Sequence, residues 1–353
     1  MKKIIIGAVL LVFVVLVSFM GSPKKQSKLS GELSSPQVEE NETRVYKANL
    51  KLINKLEFLE GNGIFRMYSD GENIWTIDNT QEVNKISSLG ERIETRLVKA
   101  GGAPFENSQL SSVKREGSRL SMVDIERNTI RIQEGKDNLL EYQKLYIPIY
   151  NGVGLTGKRF LTISDYGPSS SFQLFDITKT EALWEKELTD VFQLEESEFP
   201  EIVTEGIFTY NQSKKTFYVP GRFGKFICFD DEGKILYTGE TVDKTPAPKV
   251  FTKQIMKGMS AQMFVREPDF YVNYSCSADD NHLYILSKHK TNKRDNFRTI
   301  DAYNVNEGSY AFSFPVPNMG EQLPIEIALL EENKIFVLYE NYDAAYFQIE
   351  PQT

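Results

Sequence analysis

The chain has few of the residues on which active sites and metal centres usually depend. Its 353 residues include only two histidines and two cysteines. It contains no G-x-S-x-G, no glycine-rich phosphate loop, no H-E-x-x-H and no C-x-x-C pattern. These absences exclude the common nucleophilic, nucleotide-binding and zinc motifs. A metal site built on two histidines would need a third ligand that no pattern identifies. We therefore expect no cofactor.

Positively charged residues are outnumbered by negatively charged ones. The net charge is −8, and the part of the chain after residue 43 carries 36 Lys and Arg against 45 Asp and Glu, a net of −9. Nucleic-acid binding needs a basic surface that neutralises phosphates, so that class of partner is excluded. Aromatic residues are plentiful, with 23 Phe and 17 Tyr. This abundance favours sheets over helical bundles.

The N-terminal region holds a long apolar run, Ile4 to Met20, preceded by Met1-Lys-Lys. Seventeen helical residues span roughly 25 Å, which suits a bilayer once the flanking residues are added. The exit "SFMGS" lacks the spaced small residues of a cleavage site and has no cysteine for a lipid anchor. We predict a signal anchor over residues 1–22, favoured over a cleaved signal peptide.

Residues 23–43 are rich in Ser, Lys, Glu and Pro and predict a flexible tether. The expected location is therefore membrane-anchored, facing the periplasm or the cell exterior, or secreted if the segment is cleaved.

Residues 44–353 contain six short apolar stretches, each preceded by a turn. Their anchoring residues are separated by 46, 40, 57, 66 and 52 positions. A period of this size, with strands throughout, is typical of propeller blades. Each segment extends into a four-stranded meander whose turns carry Gly, Asp and Asn. The anchoring residues are Ile74, Leu120, Phe160, Phe217, Leu283 and Ile335.

The last repeat stops after about three strands, whereas a strand candidate, Ala48 to Glu60, precedes the first repeat. We predict that this strand completes the sixth blade, because closure removes exposed sheet edges. The predicted fold is therefore an all-β, six-bladed β-propeller closed by an N-terminal strand, and we favour six blades over five or seven.

Two stretches carry a family resemblance. They are "LVKAGGAPFENSQLSSVKREGSRLSMVDIERNTIRI" from Leu97 and "FICFDDEGKILYTGETVDKTP" from Phe226. The first resembles the six-bladed propellers of the NHL-repeat and TolB-like kind, in which a Gly-rich loop leads into a strand that ends in Asp. The second is similar to a hairpin of uncharacterised exported bacterial members. The resemblance extends from about residue 45 to the end and implies the fold more than a function.

We predict a binding face where loops between second and third strands, and linkers between blades, emerge together. Arginines and aromatics are the residues that anchor interfaces. The basic stretch Lys288 to Arg298 would attract an anionic ligand or partner. The expected partner is a protein or a small anionic ligand, and the expected role is binding or scaffolding without catalysis. The candidate residues are Arg127, Tyr166, Arg222, Phe223, His289 and Tyr342.

The alternative is a metal-dependent hydrolase or lactonase, because some six-bladed propellers hold a metal in the central funnel. Asp78, Asp124 and Asp165 follow second strands at comparable positions, with Asn79 and Asn128 beside them. Aspartate also ends strands and caps turns wherever turns occur, and we favour that role.

Two further expectations concern sulfur. Cys228 and Cys276 fall on strands too far apart for a disulfide, so both are predicted to be free and buried. Met256, Met259 and Met263, in the linker Lys244 to Tyr271, have helical spacing and predict a short amphipathic helix packed on the propeller. A Met-rich peptide groove is the alternative.

Overall fold

The computed structural model describes residues 33–34, 44–56, 64–87, 92–98, 108–134, 138–165, 170–194, 199–254, 262–267, 269–288 and 297–352. The predicted signal anchor and nearly all of the predicted tether lie outside these residues. Within the described part, no helix is both long and apolar enough to cross a bilayer.

Six four-stranded antiparallel sheets form the blades of the propeller. The strands follow chain order in blades 1 to 5, whereas the outermost strand of blade 6 comes from the N-terminal side. Blade 1 is Ile64–Ser69, Asn73–Asp78, Val83–Ser87 and Arg92–Val98; blade 2 is Leu110–Glu116, Arg119–Asp124, Thr129–Glu134 and Asn138–Lys144. Blade 3 is Ile149–Gly154, Arg159–Asp165, Ser170–Asp176 and Trp184–Glu187; blade 4 is Gly206–Tyr210, Thr216–Pro220, Lys225–Phe229 and Ile235–Glu240. Blade 5 is Asn273–Ala278, His282–Lys288, Arg298–Asn304 and Tyr310–Val316; blade 6 is Pro324–Leu330, Lys334–Tyr339, Ala344–Pro351 and Ala48–Leu56.

The ring is closed in two ways. The first strand of each blade contacts the first strands of both neighbouring blades, including blade 6 with blade 1. These first strands therefore surround the axis. The outermost strand of blade 6 comes from the N-terminal side, with Ala48 paired to Pro351 and Leu56 paired to Ala344. The predicted fold and its closing strand are confirmed over Ala48–Leu56, and residues 57–60 of the predicted strand lie outside the described residues.

The middle strands are buried on both faces because each blade packs between two others. Every residue of Asn73–Asp78 and of Thr216–Pro220 is buried. Cys228 and Cys276 are free and buried, as predicted, and lie in one apolar cluster between blades 4 and 5.

The linker between blades 4 and 5 forms a β-hairpin in place of the predicted helix. Lys249–Gln254 pairs with Gln262–Glu267 over their full length. Met263 lies in the second strand, whereas Met256 and Met259 lie outside the described residues. Flanking "VFT" and "MFV" supply aromatic and β-branched residues that favour strands, and three methionines are too short a pattern to determine a helix.

Two short helices, Leu188–Phe192 and Pro200–Val203, lie in the linker between blades 3 and 4. A two-residue strand in the tether, Leu33–Ser34, pairs with Asn318–Met319 in the linker between blades 5 and 6.

Arg44, just before the closing strand, forms a clamp that the sequence did not indicate. Its Nε and Nη2 donate to Asp301 Oδ1 and Oδ2 at 2.8 and 2.9 Å, and its Nη1 and Nη2 donate to Asp243 Oδ1 and Oδ2 at 3.0 and 2.6 Å. Although burial alone would lower the pKa of Arg44, the hydrogen bonds and charges of both aspartates raise it above its ordinary value. The side chain fastens the N-terminal segment to blade 5 and to the linker before it.

Candidate functional site

One end of the ring collects the loops between second and third strands together with the linkers between blades, because successive strands alternate in direction. We call this end the loop face. It is the face on which the sequence placed the candidate binding residues. Residues at the starts of the first strands lie here, around the mouth of the axis.

A β-bulge recurs at the start of the first strands. In blades 1, 2, 3, 5 and 6 the pairing register shifts at the second residue of the strand, whereas blade 4, which starts at Gly206, pairs regularly. Bulges change the direction of the side chains that follow them. In each of the five bulged strands the residue after the bulge is polar. These residues are Arg66, Ser112, Asn151, Ser275 and Glu326.

Three of these polar residues form a bonded network. Arg66 Nη1 donates to Glu326 Oε1 at 2.8 Å, and Ser275 Oγ donates to Glu326 Oε2 at 2.6 Å. Burial raises the pKa of Glu326 above its ordinary value, although the charge of Arg66 and the Ser275 hydroxyl act to lower it. The network joins blades 1, 5 and 6 through side chains at the mouth of the axis.

A cavity of about 340 Å³ opens at this mouth, and we call it the central cavity. Arg66 and Asn151 line it from the first strands, whereas Glu201, Glu205 and Arg266 line it from the linkers on either side of blade 4. Arg266 Nη2 lies 3.5 Å from Glu205 Oε2. The cavity wall therefore carries both signs of charge and exposes donors and acceptors.

Hydrogen bonds to main-chain carbonyls hold the wall in place. Tyr68 Oη donates to Ser111 O at 2.7 Å, and the Asn151 amide donates to Gly206 O at 2.8 Å. Further along the axis, the rings of Tyr68 and Tyr210 stack with centroids 6.3 Å apart and planes 6° from parallel. Because these tyrosines belong to opposite blades, the ring pair lies across the axis beyond the mouth.

Arg222 and Phe223, two of the candidate residues, lie in the second-to-third-strand loop of blade 4 and are both buried. Arg222 donates from Nη1 to Asp269 Oδ1 at 2.9 Å, and its guanidinium lies 4.0 Å from the ring centroid of Tyr271. Phe223 packs edge-on against Phe192, with centroids 5.3 Å apart. It lines a second cavity rather than the central one.

The other candidates are distributed around the ring. Arg127, in blade 2, donates from Nε to Ser108 Oγ at 2.7 Å. Tyr342, in blade 6, is 40% exposed and has a positive φ of 65°. Tyr166 and His289 lie outside the described residues. None of the four described candidates lines the central cavity.

Two aspartates of the metal alternative, Asp78 and Asp124, accept hydrogen bonds from main-chain N–H groups. Asp78 Oδ1 accepts hydrogen bonds from the main-chain N–H groups of Thr80 and Glu82 at 2.9 and 3.0 Å. Asp124 Oδ2 accepts from the Ser108 N–H at 2.8 Å. The side chain of Asp165 lies outside the described residues. Among the described residues, no group of three His, Cys, Asp or Glu side chains is placed to hold a metal ion.

Arg66 and Asn151 were missed because they lie on first strands, whereas the predicted binding face consisted of loops and linkers. Glu201, Glu205 and Arg266 do lie in linkers, but no sequence pattern distinguished them. A usable signal was present. Charged residues such as Arg66 and Glu326 stand out in strands that must pack around an axis.

No protein-family model matches the chain, and no curated protein sequence matches it either. Solved structures do. A member of the DUF4221 family from Bacteroides vulgatus aligns over 88% of this chain and 100% of its own, with 8% identity and a TM-score of 0.50. A protein from Bacteroides fragilis, provisionally assigned as exported, covers 93% of this chain and 98% of its own at 10% identity and a TM-score of 0.48. BamB from Moraxella catarrhalis covers 82% of this chain and 84% of its own at 10% identity and a TM-score of 0.43. At such identities the similarity to the DUF4221 protein concerns the fold alone.

Proposed function

We propose that this protein is a binding module that takes its ligand on the loop face, at the central cavity. The observation that carries the proposal is a cavity of about 340 Å³ at the mouth of the propeller axis, lined by charged side chains of both signs from blade 1 and from the linkers on either side of blade 4. This volume lies within the roughly 300–1,000 Å³ of small-molecule sites. Several blades surround this opening, so their side chains can contact one bound ligand together.

The wall chemistry fits a ligand that carries a carboxylate, either a small anion or an acidic segment of a protein partner. Arg266 is the strongest determinant, because its 3.5 Å pair with Glu205 is long and Glu205 is half exposed. An incoming carboxylate can therefore displace Glu205 at little cost. Arg66 also lines the cavity, but its charge is matched by the buried Glu326, so it contributes less than Arg266 to the attraction of an anion.

The rest of the proposed role comes from the sequence. The apolar run Ile4 to Met20 supports a membrane tether, with the propeller held outside the cytoplasm. The quoted stretches support kinship with the NHL-repeat and TolB-like propellers. No observation on the described residues favours the metal-dependent hydrolase, since the carboxylates of Asp78 and Asp124 accept main-chain hydrogen bonds from Thr80 and Ser108.

Thermal melting of the full-length protein with increasing citrate and with increasing tri-glutamate peptide tests this proposal. We expect a saturable rise in melting temperature with at least one probe. Arg266→Gln should abolish the rise. Arg119→Gln is the matched control, because Arg119 is exposed at the opposite end of blade 2.

The same response in Arg266→Gln and Arg119→Gln, or no saturable response to either probe, would reject the central cavity as the binding site. Fractionation tests the tether separately. We expect the full-length chain with membranes, and a soluble product that begins near Ser22 would contradict the tether.

A further inference from the structure

A second and larger cavity, of about 790 Å³, opens on the loop face between the linkers that follow blades 3 and 4. We call it the linker cavity. It shares no lining residue with the central cavity. The short helix Pro200–Val203 separates the two, since Glu201 faces the central cavity and Val203 faces the linker cavity.

The interior of the linker cavity is apolar. Phe192, Val203 and Phe223 form one wall, and each is almost fully buried in the main apolar cluster of the fold. Ala247 and Val250, from the linker after blade 4, form the opposite wall and pack against the same cluster. Because the first of these walls is almost fully covered, a long apolar chain placed here would contact mainly the partly buried side chains of Leu194, Ala247 and Val250.

The rim is basic, although the protein body is acidic. Lys244 and Lys249 line the cavity and are exposed to solvent, and Glu240 is the one acidic residue among the described residues of the lining. The partner of Lys244 is Glu240, at 4.0 Å, and both side chains are largely exposed. Exposed ion pairs of this kind contribute little free energy, so an anionic ligand can replace Glu240 beside Lys244. Lys225 is part of the wall, because its Nζ donates to Phe192 O at 2.6 Å.

The cavity wall also contains a polar atom without a partner. Thr245 is 6% exposed, and its Oγ1 has no hydrogen-bond partner among the described residues. Buried hydroxyls are normally satisfied, and each exception calls for an explanation. Thr245 follows Lys244 directly, so a head group at the lysine rim would give this hydroxyl an acceptor.

We propose that the linker cavity binds an amphiphilic carboxylate with a single long hydrocarbon chain, such as a fatty acid. The chain lies between the Phe223 and Val250 walls, and the carboxylate lies at Lys244 and Lys249. Charge complementarity and the apolar interior together select this class of ligand. An uncharged chain would form no ion pair with the lysines of the rim, and a small anion would make no apolar contact with the interior. Phe251 is 40% exposed at the mouth and extends the apolar surface outwards.

A photoactivatable palmitate with a mid-chain diazirine, added to membranes that contain the full-length protein, tests the proposal. After irradiation, mass spectrometry maps the labelled residues. We expect label in Phe192–Leu194 and in Ala247–Phe251, reduced at least fivefold by excess unlabelled palmitate. Hexadecanol, which has the chain but no charge, should compete much less.

Variants sharpen the assignment. The double variant Lys244→Glu and Lys249→Glu should reduce this labelling at least fivefold, because it reverses the charge of the rim. Lys253→Glu is the matched control, since Lys253 is exposed on the same hairpin but does not line the cavity. Ala247→Trp should block the cavity, and Thr245→Val should reduce labelling about threefold. Circular dichroism confirms that each variant is folded.

Labelling elsewhere on the protein only, equal competition by hexadecanol, or equal labelling of the double variant and Lys253→Glu would overturn the proposal. Because the rim lysines are exposed, the double variant still tests the head-group site if Ala247→Trp does not fold. Arg266→Gln, which tests the central cavity, should leave this labelling unchanged, so the two proposals fail independently.

Discussion

Replacing Arg44 with alanine should destabilise the propeller more than any change at an exposed ion pair. Arg44 is fully buried and makes four charge-assisted hydrogen bonds to Asp301 and Asp243. Asp301 is also fully buried, and without Arg44 it keeps, among the residues that the structure describes, only the hydrogen bond from Ser313 Oγ at 2.6 Å. The variant thus leaves a buried carboxylate almost uncompensated.

Breaking a buried pair in this way costs about 3–5 kcal/mol in the free energy of unfolding. Since domains are stabilised by only about 5–15 kcal/mol, the loss is a large share of the total. The matched control is Lys51→Ala, which removes an exposed pair with Glu350 at 3.0 Å. It should cost less than about 1 kcal/mol. Arg44→Lys should fall between the two, because an ammonium group cannot reach both carboxylates with paired bonds.

Urea denaturation followed by circular dichroism measures these differences. For a slope of about 3 kcal/mol per molar urea, Arg44→Ala should lower the midpoint by roughly 1–2 M. Adding Asp301→Asn to Arg44→Ala should recover part of the loss, because the neutral amide is less costly to bury. A midpoint for Arg44→Ala within 0.3 M of Lys51→Ala, taken as roughly the precision of the method, would refute the reasoning.

Three other outcomes are expected. Deleting the closing strand Ala48–Leu56 should remove most of the folding stability, because the deletion exposes the edge of blade 6. Deleting residues 35–43 should not have this effect. A normal melting curve for the first deletion would contradict the closure. Burial lowers the pKa of Lys114 to about 8, so the unfolded chain binds more protons between about pH 8 and 10.5. The stability of the wild type, measured relative to Lys114→Met, should therefore rise with pH across that window, and a flat difference would be inconsistent with a buried ammonium. Burial raises the pKa of Cys228 to about 11 and that of Cys276 above its ordinary value. Iodoacetamide at pH 7.5 should therefore label both thiols only after unfolding. Rapid labelling of the native protein would disprove this.

The fold was predictable from the sequence because its signals are local and repeated. Stretches such as Asn73–Asp78 and Lys334–Tyr339 are apolar on both faces, which requires a sheet packed on both sides. The missing strand of the last repeat and the surplus strand before the first repeat together predicted the closure. Each inference needed only a strand pattern and a count.

The hairpin Lys249–Glu267 was not predictable in the same way. Three methionines at helical spacing suggested a helix, but main-chain pairing of the flanking residues determines this linker. The Arg44 clamp was also invisible, because its partners Asp243 and Asp301 are about 200 and 257 positions away. Contacts of that range depend on the completed ring, which a local pattern does not contain.

The central cavity was also difficult to predict from local sequence patterns, because it forms only in the assembled ring. A bulge at the second residue of a first strand places the third residue, such as Arg66 or Glu326, at the mouth of the axis. The sequence shows those charges but not the bulges that direct them. The Tyr68 and Tyr210 rings lie across the axis beyond this mouth, so we expect a ligand to enter and leave by the loop face. Exchange of ligand should therefore depend on Arg266 and its hairpin, which border the mouth.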